Sequence, residues 1–146
     1  MIDPIVRPAS DDDVPQLRRL EQRSRAVLND RRGGSRWLAT HPEQGDNWPL
    51  TIERQQVFVA TIDAVIVGYL VASQHDTVLS IDDVFVHEQA RQLGFGDELL
   101  AAALAAGRNA GLQLLEGEAL PGDRDTKNLY ERAGIKARLI TVSTEL

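Results

Sequence analysis

The order of apolar runs predicts a mixed α/β fold, a largely antiparallel sheet with helices on both faces. Three observations carry this. Runs at 57–62, 65–72 and 78–86 follow one another with only short polar turns between them, which makes them antiparallel neighbours. A glycine-containing turn and an Ala- and Leu-rich helix then lead into another apolar run at 112–115, a strand–helix–strand crossover. The first two runs are nearly continuous in apolar residues, so both sheet faces are expected to be covered.

Ile5 and Val6 open a short strand closed by Pro8. Val14, Leu17, Leu20, Val27 and Leu28 repeat at helical spacing. Pro15 must lie in the first turn of that helix, which makes Asp11 or Asp12 its expected cap. Residues 31–55 hold Gly33-Gly34, Pro42, Gly45, Pro49 and both tryptophans. The segment is too long for a plain connection. It is either a cover over a substrate or an irregular helical excursion whose tryptophans pack on the core.

Asp63-Ala64 separates the first two strands of a hairpin, and Gln74-His75-Asp76-Thr77 leads into the third. A helix is expected from about Asp97 to Ala106, bracketed by Gly107 and Gly111. A second amphipathic helix covers 123–133, ended by Gly134, and Ile135 to Thr144 reads as a final strand. The predicted order is β-α-(α)-β-β-β-α-β-α-β.

A chain of 146 residues suits one domain spanning 1–146. No segment approaches the roughly 20 apolar residues that span a bilayer. Met1-Ile2-Asp3-Pro4 lacks the basic start and apolar run of a signal peptide, so the expected location is cytoplasmic. Cysteine is absent, which excludes disulfides, Cys-ligated zinc and a cysteine nucleophile. A net charge of −6 argues against nucleic-acid and anionic-membrane partners.

The turn Arg91-Gln92-Leu93-Gly94-Phe95-Gly96 is either an anion site or only a tight turn with Arg91 solvated. A strand enters it and a helix leaves it, so unpaired N–H groups and the positive end of the helix dipole face a ligand there. Gly94 and Gly96 lack Cβ and allow a diphosphate close to the backbone. Arg91 adds a cation with a bidentate fork. A dinucleotide fingerprint fails because its third glycine position is Leu99, and a P-loop fails because Asp97-Glu98 follows Gly96.

Arg91-x-x-Gly94-x-Gly96, after a strand ending Asp82-Asp83-Val84-Phe85-Val86, resembles the acyl-coenzyme A motif of the GNAT superfamily of N-acetyltransferases. Val6-Arg7-Pro8-Ala9 is similar to that family's opening strand. Ile66-Val67-Gly68-Tyr69 is similar to its third strand, and Asn128-Leu129-Tyr130-Glu131-Arg132-Ala133-Gly134-Ile135 to its late helix and following turn. The resemblance implies the family fold, β-α-α-β-β-β-α-β-α-β with a mostly antiparallel sheet splayed at the acyl-CoA site. It also implies acetyl-CoA as cosubstrate. Backbone groups from Gln92, Leu93, Gly94, Phe95, Gly96 and Asp97 would hold the pyrophosphate, with Arg91 nearby. Val84, Phe85 and Val86 would pair with the pantetheine arm like an added strand. Asp123, Asn128 and Tyr130 would complete the cofactor-binding set. The chain departs from the usual pattern at Gln92, where glycine is commoner, and at Asp123, where asparagine is usual. It departs again at Thr126, often alanine, and at the hairpin turn Asp63-Ala64.

Acetyl transfer to an amine requires the amine to lose a proton, the thioester carbonyl to be polarised, and the leaving thiolate to be stabilised. Holding amine and thioester side by side removes the need for a covalent nucleophile. The resemblance makes Tyr130 the general acid toward the sulfur. Asp82 is the expected base, with Asp83 and a water relay as alternatives, because neighbouring strand residues face opposite ways. His87 is either a proton relay or an exposed loop residue. Glu116 and Glu118 share a strand face and either bind a cationic substrate or are solvated. The expected partner is an amine-bearing substrate, small molecule or peptide, taken by a monomer or homodimer. The alternative is an acyl-CoA-binding module acting as sensor or partner subunit. A relative acting on aminoacyl-tRNA would need a basic surface, which the charge disfavours.

Overall fold

A computed structural model describes residues 5–146; the opening Met1-Ile2-Asp3-Pro4, used above to judge a leader, lies outside the described residues. Five strands form one sheet in the order of the chain: β1 (Ile5–Pro8), β2 (Gln56–Ile62), β3 (Val65–His75), β4 (Val78–Val86) and β5 (Leu114–Gly117). The first four pair antiparallel and β5 joins β4 in parallel. Helices α1 (Val14–Asn29), α2 (Gly34–Thr40) and α3 (Trp48–Arg54) fill the link between β1 and β2. Helix α4 (Phe95–Asn109) makes the β4–β5 crossover, and α5 (Arg124–Arg132) follows β5.

Each sheet face has its own core. Leu17, Leu20 and Trp48 from α1 and α3 meet Val57, Val59, Tyr69, Val71 and Phe85 on one face. Phe95, Leu99, Leu100 and Ala103 of α4, with Leu129 and Tyr130 of α5, meet Ala60, Leu70, Ala72, Leu79 and Ile81 on the other. Two-sided burial explains why β2 and β3 read as unbroken apolar runs.

Several expectations need correction. The start of α1 is organised by Asp13 rather than Asp11 or Asp12. The buried Asp13 carboxylate accepts from the Ser10 N–H at 2.8 Å and takes both arms of Arg7 at 2.7 and 2.8 Å. That fork, with backbone help, holds Asp13 below its ordinary range and fastens β1 to α1. The 31–55 segment divides: Trp48 is fully buried in the core beneath α1, whereas Trp37 stacks on His41 at 4.2 Å and reaches the cleft described below.

The final strand expected at Ile135–Thr144 does not form. The chain runs on without a ladder, and Leu139, Ile140 and Val142 stay 88%, 79% and 88% exposed. Strand propensity expresses itself only where a neighbouring edge and a burying face are available, and this run docks on neither outer edge of the sheet.

The turn from α1 into α2 is tight. Gly33 takes φ 83°, and a Cβ added to Gly34 would overlap the Leu28 carbonyl oxygen. Gly34→Ala must push α2 off α1, and we expect a loss of about 3 kcal/mol by denaturant unfolding. An unchanged midpoint would show that the corner is not tight.

Candidate active site

The site is made by an irregularity in β4. Ile81 pairs with Ala72 of β3 and Asp83 with Val71, so Asp82 is an extra residue, a β-bulge. The bulge reverses the pleat. Leu79 and Ile81 belong to the α4 face before it, whereas Phe85 belongs to the α1 face after it. The β4–β5 ladder also stops there, its last pair being Ile81 with Gly117. Beyond that pair the strands part, and their unpaired edges bound a cavity of about 910 Å³ that runs between the two faces of the sheet.

One end of this cavity is the turn into α4. Gly94 caps the helix at φ 90°, so the first-turn N–H groups look into the opening. Arg91 donates from Nε to the Val86 carbonyl at 3.3 Å, lies over the Phe85 ring at 5.8 Å and pairs with Asp125 of α5 at 2.7 Å. Arg132 of α5 pairs with Asp97 of α4 at 3.0 Å. These pairs hold α5 alongside the turn, and neither was visible in the sequence. Gln92 adopts φ 67°, the left-handed conformation usually taken by glycine, and so keeps the turn's path at some cost in strain.

The expected residues converge with one exception. Asp82, Val84, Phe85, Val86, Arg91, Gln92, Gly94, Phe95, Gly96, Asp97, Asp123, Asn128 and Tyr130 all line the cavity; Leu93 turns outward, 43% exposed, and does not. Asp123 caps α5, accepting from the Thr126 N–H at 3.2 Å and hydroxyl at 2.6 Å, so the departures at 123 and 126 pair with each other. His87 caps the short turn after β4 through the Gln89 N–H. Glu116 lies on β5, and Glu118 lies beyond the strand end and lines the cavity.

Tyr130 sits at the apex of the opening. Its ring rests on Gly117, where an added Cβ would come within 2.7 Å of Cζ and overlap the hydroxyl. Among the described residues, that hydroxyl is one of two buried side-chain atoms with no hydrogen-bond partner, the other being Arg31 Nε. Burial, reinforced by the charges of Asp83, Asp123 and Glu118, pushes the phenol well above its ordinary range and keeps it protonated. A buried O–H without a partner is costly, and a ligand that accepts from it recovers that cost.

The opposite wall was hardly legible in the sequence. Ser24, Val27 and Leu28 of α1, Trp37 of α2 and Leu120 supply it. Asp83 enters from the β4 side, accepting from the Tyr69 hydroxyl at 2.7 Å. Burial raises the Asp83 carboxyl to about 6, against the opposing pull of the Tyr69 hydrogen bond. Among the described residues, no cluster of His, Asp and Glu suited to a metal was found, and no helix is long and apolar enough to cross a membrane.

The model of the acetyltransferase (GNAT) family matches residues 15–135. No curated protein matches the sequence. Among solved structures, AAC(6')-Iy in complex with the bisubstrate analog CoA-S-monomethyl-acetylneamine superposes with a TM-score of 0.72 at 18% identity, covering 99% of this chain and 100% of that one. A four-substitution mutant of a Bacillus halodurans protein gives 0.79 at 18% identity, covering 97% and 99%. An acetyltransferase of the GNAT family from Staphylococcus aureus Mu50 gives 0.74 at 13% identity, covering 90% and 84%. At these identities the superpositions speak for the fold.

The contact between Gly117 and Tyr130 is open to direct test. Gly117→Ala should lower the melting temperature, and Gly117→Ala with Tyr130→Leu should recover part of the loss. The double-mutant cycle should give a coupling of at least about 1 kcal/mol; additive effects would show that the ring does not rest there.

Proposed function

The chain belongs to the acetyltransferase (GNAT) family, and from that premise we propose that it moves an acetyl group from acetyl-CoA directly to a primary amine. One observation carries the reading: the sheet opens between an anion-receptive helix start and a buried, unpartnered phenol. The cavity suits a long ligand with a diphosphate at one end and a reactive group at the other. The N–H groups around Gly94 to Asp97 would hold the diphosphate, with no Cβ at Gly94 or Gly96 in the way. The β4 edge from Val84 to Val86, free of β5, would pair with the amide-bearing arm. Coenzyme A supplies a thioester whose acetyl group an amine can displace.

The residues of this chain then have distinct tasks. The cleft holds amine and thioester together, which replaces a covalent intermediate. Tyr130 donates its hydroxyl proton to the departing sulfur. The acceptor wall combines the acidic Asp82, Asp83 and Glu118 with Val27, Leu28 and Trp37. Such a lining favours a cationic amine with an apolar flank and disfavours an acceptor carrying a carboxylate beside its amine. An aminoglycoside N-acetyltransferase, AAC(6')-Iy, has been solved in complex with CoA on the same fold. That supports an amine acceptor for this chain without naming one.

Acetyl-CoA should raise the melting temperature by mass action, and Gly94→Val should abolish that rise, because a β-branched residue is strained at φ 90° and fills the approach. No rise for the wild type at millimolar acetyl-CoA would reject the cofactor site. Tyr130→Phe should keep the rise yet lose roughly 10²–10⁴-fold in kcat, followed by thiol release over a panel of amines. A Phe variant with near-normal turnover would leave Tyr130 as a packing residue.

A further inference from the structure

We infer that Asp83, rather than its neighbour Asp82, takes the proton from the acceptor ammonium, and that Tyr69 is its positioning residue. The inference rests on the acetyltransferase reading and assigns the acceptor end of the same cleft.

The argument begins with the bulge. Two adjacent acidic residues on a regular strand would face opposite ways, and nothing local decides between them. With Asp82 as the extra residue, Asp83 shares the face of Phe85 and Tyr69. There it lies partly open to the cavity and is fixed by the Tyr69 hydroxyl at 2.7 Å. Asp82 is exposed and has no side-chain hydrogen bond among the described residues, so nothing fixes its carboxylate.

Tyr69 is itself held firmly. Its ring is fully buried, edge-on to Trp48 at 5.6 Å, with Ser24 of α1 beside its hydroxyl. Trp48 donates from Nε1 to Glu21 at 3.2 Å, and Glu21 also accepts from the Gln44 and Gly45 N–H groups at 2.8 and 3.2 Å. The groups acting on Asp83 are Tyr69 of β3, the Val84 amide of β4, and Glu21 and Arg25 of α1. Tyr130 of α5 in turn feels its charge from across the opening. Acid and base therefore stand on opposite faces of the sheet and meet through the gap between β4 and β5.

The proton balance closes without another reagent. The Asp83 carboxylate removes one proton from the ammonium, freeing the nitrogen lone pair. The amine nitrogen bonds to the acetyl carbon, and the carbon–sulfur bond breaks with its electrons on sulfur. Tyr130 protonates the sulfur and regains a proton from the acylated nitrogen. Asp83 releases its proton to water. A carboxyl titrating near 6 is ionised at neutral pH yet remains basic enough to accept a proton.

Three variants of the full chain test this with one amine that the wild type acetylates. Asp83→Asn should lose roughly 10²–10⁴-fold in kcat while keeping the acetyl-CoA thermal shift. Asp82→Asn should act mainly on KM. Tyr69→Phe should move the acid limb of the kcat profile to higher pH by about one pH unit, because the lost hydrogen bond favoured the carboxylate; a purely structural role would leave the limb in place. Melting temperature gives a readout apart from activity. A folded carboxyl near 6 against about 3.9 unfolded binds extra protons in the folded state between those values, so stability falls as pH rises through that window. Asp83→Asn should therefore raise the melting temperature at pH 7 and leave it nearly unchanged at pH 3.5. Near-normal kcat in Asp83→Asn, or an equal kcat loss in Asp82→Asn, overturns the assignment while the acetyltransferase reading stands. A wild type that acetylates no amine in the panel overturns both.

Discussion

Much of this site depends on one residue too many in β4. Strands β3 and β4 run in register until Asp82, where β4 carries an unpaired residue. A bulge adds local twist and bends its strand away, and the parallel ladder to β5 ends at that point, with Ile81 against Gly117. An intact ladder would leave no gap for a ligand arm and no open backbone edge at Val84 to Val86. The same extra residue reverses the pleat, so Leu79 and Ile81 serve one core and Phe85 the other. The cavity, the free edge and the choice of carboxylate all follow from it.

The surroundings of the gap carry local costs that the rest of the fold must offset. The Tyr130 hydroxyl is buried without a partner, Asp83 is a partly buried carboxyl, and Gln92 sits in a left-handed conformation. Away from the gap Arg31 Nε is also unpartnered, but the buried carboxylates are well matched. Asp13 is buried but takes both arms of Arg7 and the Ser10 amide. Glu21 is buried and accepts three N–H donors. Unsatisfied or charge-stressed groups concentrated in a cleft are what a ligand site requires, since a ligand can relieve them.

The strand and helix pattern was legible because it is written in local periodicity: the expected strand 78–86 forms as Val78–Val86, and the expected helix 123–133 forms as Arg124–Arg132. The turn at Arg91 to Gly96 was legible less from its two glycines, which alone suit any tight turn, than from their place after the Asp82–Val86 strand and upstream of the Asn128–Ile135 segment. What stayed hidden depends on pairing between distant segments. Asp82 and Asp83 look alike until the register with β3 is known. Nothing local marks Tyr69 as the partner of Asp83, or Gly117 as the seat of the Tyr130 ring. The Arg91–Asp125 and Arg132–Asp97 pairs join residues 34 and 35 positions apart. The apolar run after Gly134 misleads for the same reason: propensity was visible, but the missing neighbour was not.

The buried network also explains why an irregular 40–50 segment coexists with a firmly held Asp83 carboxylate. Among the described residues Glu21 forms no ion pair; its charge is held by the Gln44 and Gly45 amides and the Trp48 indole. Backbone donors of that loop are thereby consumed inside the protein, which fixes the loop against α1. The loop in turn seats Trp48, Trp48 abuts Tyr69, and Tyr69 holds Asp83. Arg25 of the same helix donates to the His41 and Leu38 carbonyls, so the end of α2 is tied to α1 as well. Trp37 lies on that helix and lines the cleft. The wall that faces the acceptor and the carboxylate that would deprotonate it are therefore anchored to one helix. A substitution that loosens α1 in its socket moves both together; α4 itself packs on the other face of the sheet, while Arg23 of α1 still reaches Glu88 beside the turn at 2.7 Å.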